Sequence, residues 1–233
     1  MKIILTLAIA LFSTGLFAQI SNDVTATATR SRDLINMASS TKYGSTMTIY
    51  NPKRRVDGSV YLFENWTNYA LIITNDKQKF SLKNINLNIE RNTFESKYSG
   101  DSIFTFNFNN IDRFVVNNKV YKNFYYNDDN RVYELIYESD EFIIMKGYRI
   151  LFVEGSSNPM LNRRNDAYKK KYSYYIKKDN KIKLFKLKKK RILKLVDGDL
   201  DRMKKIEQFV KSNRLSYKKE NDVRRVLSFT AKN

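Results

Sequence analysis

Apolar and polar residues alternate along much of the sequence from Ser45 to Leu187, and this alternation limits the possible folds more than any other feature. The clearest examples are the triplets Phe104, Phe106 and Phe108; Ile85, Leu87 and Ile89; and Tyr133, Leu135 and Tyr137. Successive side chains of a β-strand point to opposite faces of a sheet. Each triplet therefore predicts a strand with one buried face.

Short polar segments separate these runs: Asn75-Asp76, Asn117-Asn118, 127–130 and Asp179-Asn180. Asn and Asp tolerate the positive backbone angles of tight hairpin turns, so such turns can form although the chain has only 7 Gly. Strands this close in sequence are expected to pair antiparallel. Residues 43–187 are therefore predicted to form a mainly β domain of the α+β class, a meander of eight to ten strands folded as a sandwich or a partly open barrel.

The period of the apolar residues changes after residue 187. Residues 188–233 show helical spacing in three short segments, with a break at Asp197-Gly198 and with Asn221 or Asp222 as the expected N-cap of the third helix. Helices this short are not stable alone. We therefore predict a basic segment of three helices that pack on the sheet or on each other.

The first eighteen residues have the three-part pattern of a secretory signal peptide. Lys2 precedes an apolar run over 3–12, and small residues lead to Ala18. The run is shorter than the roughly 20 residues of a membrane span. We expect cleavage near Ala18, a flexible or loosely docked arm at 19–42, and a periplasmic or secreted product. Because no Cys follows the run, no lipid anchor is expected, and because the sequence has no second long apolar segment, no transmembrane span is expected in the mature chain.

Positive charge is concentrated at the C-terminal end. Residues 163–233 contain 25 basic and 8 acidic residues, whereas residues 1–162 contain 18 and 16. Such a field attracts polyanions. A Lys-rich composition typical of AT-rich genomes, or a solvated lysine face on the helices, explains the excess equally well. The candidate residues for binding a polyanion or partner are Lys169, Lys170, Lys171, Lys188, Lys189, Lys190 and Arg191.

Four tyrosines lie near these basic residues: Tyr168, Tyr172, Tyr174 and Tyr175. Exposed aromatic rings can stack on sugars or bases, although strand spacing also fits rings that pack in a core or at a sheet edge. Asp101-Ser102-Ile103 fits the short O-glycosylation signal of secreted Bacteroidota proteins. This three-residue pattern is consistent with export.

The absence of Cys and His removes many kinds of chemistry. Thiol nucleophiles, thiolate metal sites and histidine-dependent triads are excluded. Asp197, Asp199 and Asp201 have the spacing of a calcium loop, but Arg202 and Gln208 occupy the positions that need Gly and Glu. We expect these aspartates to favour a helix start instead, and we predict no metal and no cofactor.

Two groups of acidic residues are compact enough to consider for catalysis. Asp128 and Asp129 form a pair, and Glu138, Asp140 and Glu141 form a second cluster. A glycoside hydrolase needs two carboxyl groups about 5–9.5 Å apart that face one cleft. We interpret the first pair as turn formers and the second group as a solvated strand end, so we identify no catalytic residue.

Several segments resemble a known group of proteins. They are GSVYLFENW at 58–66, the YYIKKDNKIKLFKL hairpin, and the KKKRILKLV and IEQFVKSNRLSYKKENDVRRVL segments that follow. Over residues 58–227 the chain resembles uncharacterised secreted proteins of Bacteroidota, especially of flavobacteria. Val60 stands where we expect proline in many relatives. The resemblance implies export and this order of segments, and it implies no activity or catalytic residue.

Three hypotheses for the function follow. The first is an exported, non-enzymatic cell-envelope protein, a scaffold or interaction module whose basic tail docks a partner or an anionic surface. The second is a protein that binds a polyanion such as lipopolysaccharide or nucleic acid, although export makes nucleic acid an unlikely natural ligand. The third is a carboxylate-based glycan hydrolase.

Overall fold

The computed structural model describes residues 37, 42–48, 56–99, 102–156, 158, 160, 165–196 and 200–231. Several predicted features lie outside these residues. They are the signal peptide, most of the arm at 19–42, Asp101 of the glycosylation signal, and Asp197 and Asp199 of the candidate calcium loop.

The described chain is mostly β, with three short helices at its C-terminal end. The strands are β1 (Gly44–Thr48), β2 (Val56–Asp57), β3 (Tyr69–Thr74), β4 (Lys79–Lys83), β5 (Ile85–Asn88), β6 (Thr93–Ser99), β7 (Ser102–Phe106), β8 (Ile111–Val116), β9 (Lys119–Tyr126), β10 (Asp129–Glu138), β11 (Phe142–Val153), β12 (Asp166–Lys178) and β13 (Lys181–Phe185). The helices are α1 (Lys189–Leu195), α2 (Leu200–Ser212) and α3 (Glu220–Thr230). The predicted fold class is confirmed, but the strands number more than the eight to ten expected.

The strands form two sheets, which do not close into a barrel. The small sheet has the order β1-β7-β6-β5, and the large sheet has the order β13-β12-β11-β10-β9-β8-β3-β4, with β2 parallel to one end of β12. From β8 to β13 the large sheet is the expected antiparallel meander. The chain leaves it after β4 to build β5–β7, and Asn84 makes this change of sheet in a single left-handed residue, with φ 56°.

Three hairpins turn on two residues that both have positive φ: Asn117-Asn118, Asn127-Asp128 and Asp179-Asn180. Their flanking residues pair directly across each turn, as Val116 does with Lys119. A positive φ raises the steric energy of the backbone for most residues, but Asn and Asp adopt it with a smaller penalty. The predicted use of Asn and Asp in place of Gly is therefore confirmed at these turns.

Two hydrophobic clusters cover one face of the large sheet, which we call the inner face. The first cluster fills the space under the small sheet, where Phe114 stacks on Phe94 with ring centroids 4.4 Å apart and meets the edge of Phe106 at 5.4 Å. Met37, from within the predicted arm, is buried in the same cluster. Aromatic pairs of this kind add stability beyond the area they bury.

The helices cover the rest of the inner face. Ile192, Val223 and Leu227 are fully buried against Ile136 and Ile144 of the sheet. Between α2 and α3, the rings of Phe209 and Phe229 stack at 4.1 Å, almost parallel. The helical segment is therefore a layer of the fold and shares its hydrophobic core.

Two strands predicted to be buried on one face only are covered on both, so this prediction is wrong for them. All four residues of β5 are buried, including Asn86 and Asn88. In β10 the register shifts between Leu135 and Tyr137, so Tyr137 packs with the helices, away from Tyr133 and Leu135. An extra residue in one strand reverses the alternation that follows it.

Residues 58–68 form the second cover of β5. The side chain of Asn86 accepts a hydrogen bond from the Phe63 amide at 3.0 Å and donates to the carbonyl oxygens of Phe63 at 2.9 Å and Asn65 at 3.1 Å. The Leu62 amide also donates to the Leu87 carbonyl at 2.8 Å. The buried Asn86 amide and the backbone bond of Leu62 thus help to hold the segment that contains the GSVYLFENW motif.

The expected N-cap of the third helix is wrong. The helix begins at Glu220, its N-cap is Lys219, and no side chain caps it. The Asp222 carboxylate instead accepts a hydrogen bond from the Ser216 amide at 2.9 Å. The helix thus begins one residue earlier than Asn221, at Glu220, whose side chain contacts the large sheet.

Asn86→Ala is expected to lower the free energy of unfolding by about 2–3 kcal/mol, because it removes a buried side chain that makes three hydrogen bonds to backbone groups of Phe63 and Asn65. Chemical denaturation measures this change. Asn75→Ala is the matched control, since it removes one exposed hydrogen bond to the Asn109 carbonyl, and it should cost less than about 0.5 kcal/mol. Equal costs for the two variants would contradict the role given to Asn86.

Candidate functional site

The first basic run, Lys169, Lys170 and Lys171, lies on the exposed part of β12. In the ladder with β11, Lys171 stands opposite Arg149 and Lys169 opposite Leu151. Alternation along the strand places Lys169 and Lys171 on one face and Lys170 on the other, where its Nζ donates to the Leu62 carbonyl at 3.1 Å. The structure therefore divides this run between two faces of a long hairpin.

The second basic run, Lys188, Lys189, Lys190 and Arg191, lies at the start of α1, and all four side chains are exposed. Lys189 pairs with Glu207 of α2 at 2.8 Å, and this hydrogen bond and charge raise the pKa of Lys189. Among the described residues the other three make no ion pair. Lys188, Lys190 and Arg191 therefore carry positive charges that no carboxylate pairs with in the described part of the chain.

The four candidate tyrosines do not form one platform. Register places Tyr168, Tyr172 and Tyr174 on the inner face and Tyr175 on the opposite face. Tyr172 is 58% exposed, and the Lys146 ammonium lies 4.3 Å from its ring centroid. The other three are partly buried. Only Tyr172 presents most of its side chain to solvent.

A polar network attaches α3 to the large sheet beside Tyr172. The Glu220 carboxylate accepts hydrogen bonds from Lys146 Nζ at 2.9 Å and from the Tyr174 hydroxyl at 2.7 Å. Burial alone would raise the pKa of Glu220, but the bonds from Lys146 and Tyr174 outweigh it and lower the pKa. Arg224 Nε adds a bond to the Ile136 carbonyl at 2.9 Å.

A carboxylate that is buried lies on the same face. Glu134 is 2% exposed, pairs with Lys119 Nζ at 2.9 Å, and accepts a hydrogen bond from the Tyr148 hydroxyl. Tyr121, directly opposite Glu134 in β9, is fully buried, and its pKa is raised by burial and then by the charges of Glu134 and Glu220. The two networks lie where the cover of the inner face changes from the small sheet to the helices.

Sequence reasoning did not find these networks. The signal was present in β10, where Glu134 stands between Val132 and Ile136 at alternating positions. A carboxylate in a stripe of buried residues needs a partner, because burying an unpaired charge is very costly. The partners Lys146 and Glu220 are distant in sequence, so the pairing itself could not be read from the pattern.

The acidic groups considered for catalysis lie at hairpin ends. Asp128 is a left-handed turn residue, and Asp129, 61% exposed, lies 3.8 Å from Arg131 Nε. Glu138 accepts a hydrogen bond from Lys122 at 2.7 Å. Asp140 and Glu141 border an open cavity of about 390 Å³ at the β10–β11 turn. In the described part of the chain, no group of three or more acidic residues could hold a metal ion.

Comparison with protein-family models, with curated proteins and with solved structures finds no match for this chain. No helix of the described residues is long and apolar enough to cross a membrane. Function is therefore inferred from the charges and contacts of the chain itself.

Glu220→Gln tests the attachment of α3. Because the folded pKa of Glu220 is lowered, its ionised form stabilises the fold at neutral pH, and this contribution is lost as the pH falls through the folded pKa. Gln lacks the contribution at every pH. At pH 7 the variant should be less stable by about 1 kcal/mol, since solvent screens part of the interaction, and the difference should shrink as the pH falls below the ordinary value of 4.5.

Denaturation curves at several pH values measure this difference. Glu207→Gln is the control, because Glu207 is 47% exposed in its pair with Lys189, and its effect at pH 7 should stay below about 0.5 kcal/mol. A stability difference for Glu220→Gln that is the same at pH 7 and pH 3 would contradict the linkage.

Proposed function

We propose that the protein is an exported, non-enzymatic cell-envelope protein that acts as an interaction module. Its β-sheets are the scaffold, and its basic C-terminal part docks an anionic surface or partner. The observation that supports this proposal is the exposed positive charge of β12, β13 and the helices, which few acidic residues neutralise.

Acidic side chains of residues 163–233 are engaged locally. Glu220, Glu207 and Asp201 each pair with one lysine, and Asp222 accepts a hydrogen bond from the Ser216 backbone. Because residues 163–233 contain 25 basic and only 8 acidic residues, the acidic residues of this part of the chain are too few to neutralise most of its positive charge. A field of this kind steers anionic surfaces towards the protein.

The helices hold this charge in fixed positions. The shared hydrophobic core and the Lys146–Glu220 pair attach α1 and α3 to the sheet. A binding surface that is already ordered loses less entropy on association than a disordered basic tail. This order favours docking to an extended surface by the folded protein.

The kind of basic residue favours an anionic surface over a specific acidic group. Residues 163–233 contain 18 Lys and 7 Arg. Lysine is a compact point charge without the planar fork that arginine offers to a phosphate or carboxylate. Attraction of this type is expected to fall with salt and to depend weakly on the structure of the anion.

A soluble polyanion is the second candidate ligand. Tyr172 is exposed on the inner face beside Lys170 and Lys146. An exposed ring near lysines can stack on a base or a sugar while the ammonium groups bind phosphates. This arrangement would give binding to lipopolysaccharide or nucleic acid in addition to lipid vesicles.

Sedimentation of the full chain with phosphatidylglycerol vesicles, and with phosphatidylcholine vesicles as the neutral control, tests the proposal. We expect binding to the anionic vesicles only, and loss of binding as salt rises. The double variant Lys188→Gln, Lys190→Gln should bind about thirtyfold more weakly, because each lysine near an anionic membrane contributes on the order of 1 kcal/mol.

The double variant Lys77→Gln, Lys79→Gln is the matched control. It removes the same charge from exposed positions around the start of β4, and its binding should change less than about twofold. Equal losses for the two double variants, or no binding of the unmodified protein to anionic vesicles, would contradict the proposal.

A further inference from the structure

The large sheet forks in its middle. The ladder between β10 and β11 ends at the pair Tyr133 and Gly147. Beyond this pair β10 continues beside β9 as far as Asp129, and β11 continues beside β12 as far as Val153. The two hairpins therefore separate, and a gap opens between strands that are neighbours elsewhere.

Asn92, from the turn between β5 and β6, closes one side of this gap. Its side-chain oxygen accepts a hydrogen bond from the Val132 amide at 3.0 Å, and its amide nitrogen donates to the Asn130 carbonyl at 2.8 Å. These are the backbone groups that a neighbouring strand would otherwise satisfy. The fork is thus held by a specific contact with the small sheet.

A cavity of about 90 Å³ lies at the fork. Its lining includes Arg131, Tyr133, Gly147, Arg149, Ser173 and Tyr175. A Cβ on Gly147 would come within 2.9 Å of the Tyr133 ring and 3.0 Å of the Tyr175 ring. Any larger residue at this position would crowd both rings, so the cavity depends on glycine.

The side chain of Tyr133 lines this cavity. The residue is 1% exposed, and its hydroxyl is buried without a hydrogen-bond partner in the described part of the chain. Burial raises its pKa, so the hydroxyl keeps its proton at neutral pH. A buried hydroxyl without a partner costs free energy, and a ligand with an acceptor oxygen would remove that cost.

Arg131, Arg149 and Ser173, which also line the cavity, carry further donor groups. The Arg131 side chain is 42% exposed, but its Nε is buried and has no hydrogen-bond partner among the described residues; the Asp129 carboxylate lies 3.8 Å from it. Arg149 is exposed at the rim, and Ser173 is partly buried. Guanidinium groups with additional O–H donors are the usual partners of oxyanions.

We propose that the fork binds one phosphate group, either free or as the ester of a larger molecule. The donors come from three strands, β10, β11 and β12, and two of them are arginines, which bind phosphate oxygens through charged N–H groups. The cavity exceeds the space of a single water and is well below the roughly 300 Å³ of a site for a drug-sized ligand.

This site is separate from the proposed docking surface. Arg149 stands opposite Lys171 in the sheet, so the lysines of β12 would steer a phosphate towards the fork. Binding at the fork nevertheless depends on Tyr133 and the two arginines, whereas vesicle binding depends on the lysine runs. Either proposal can therefore fail without contradicting the other.

The test is an amide NMR titration of the full chain with inorganic phosphate, glucose 6-phosphate and glucose at constant ionic strength. Saturable shifts at Tyr133, Gly147 and Ser173 are expected with one or both phosphates and not with glucose. The phosphate that binds more tightly shows whether the free ion or the ester is the better ligand. Absence of saturable shifts at these residues with both phosphates would overturn the proposal.

Two variants and a control make the test specific. Tyr133→Phe removes only the hydroxyl, so phosphate should bind about tenfold more weakly while the melting temperature stays the same or rises. Arg149→Gln should weaken phosphate binding by a similar factor. Arg225→Gln removes the same charge from an exposed position of α3 and should change binding less than about twofold. Unchanged binding by both site variants, or equal loss by Arg225→Gln, would overturn the proposal.

Discussion

The structure depends on the way in which two different layers share one face of the large sheet. The small sheet covers one part of that face and the helices cover the other, and each layer has its own hydrophobic cluster. Glu134 and Glu220 lie where the layers meet, and lysine and tyrosine side chains neutralise and bind both carboxylates. Removing one member of a buried pair leaves an uncompensated charge. The contacts of Glu220 with Lys146 and Tyr174 therefore help to fix where α3 attaches to the large sheet.

The position of the basic residues follows from this attachment. The C-terminal helices, which the sequence predicts as a basic tail, form a layer of the fold, since Val223, Val226 and Leu227 are fully buried. The positive charge is consequently displayed on the outer surface of rigid elements. The same long hairpin that carries Lys169 and Lys171 also separates from β10 to form the fork at Gly147. One architectural feature thus places both proposed binding regions close to one another.

Local patterns predicted the local structure well. The Asn and Asp turns, the strand segments and the three helices follow from backbone preferences and from periodicity. The errors arose where a partner distant in sequence changes the environment. Asn86 looks like a solvent-facing strand residue until residues 58–68 cover it, and Tyr137 changes sides through one bulge. The same holds for the two proposed binding regions. The basic runs can be found in the sequence, whereas the buried hydroxyl of Tyr133 results from the separation of two hairpins, which no local pattern predicts.

The central claim is that the helical segment is an integral layer that presents its charge in a fixed arrangement. Native-state hydrogen exchange of the full chain tests this claim most directly. The amides of Val226 and Leu227 in α3 should open with free energies close to those of Ile72 and Phe114, which are fully buried in the large sheet. Exchange of the α3 amides at the rate of an unfolded peptide, while the sheet stays protected, would contradict the account.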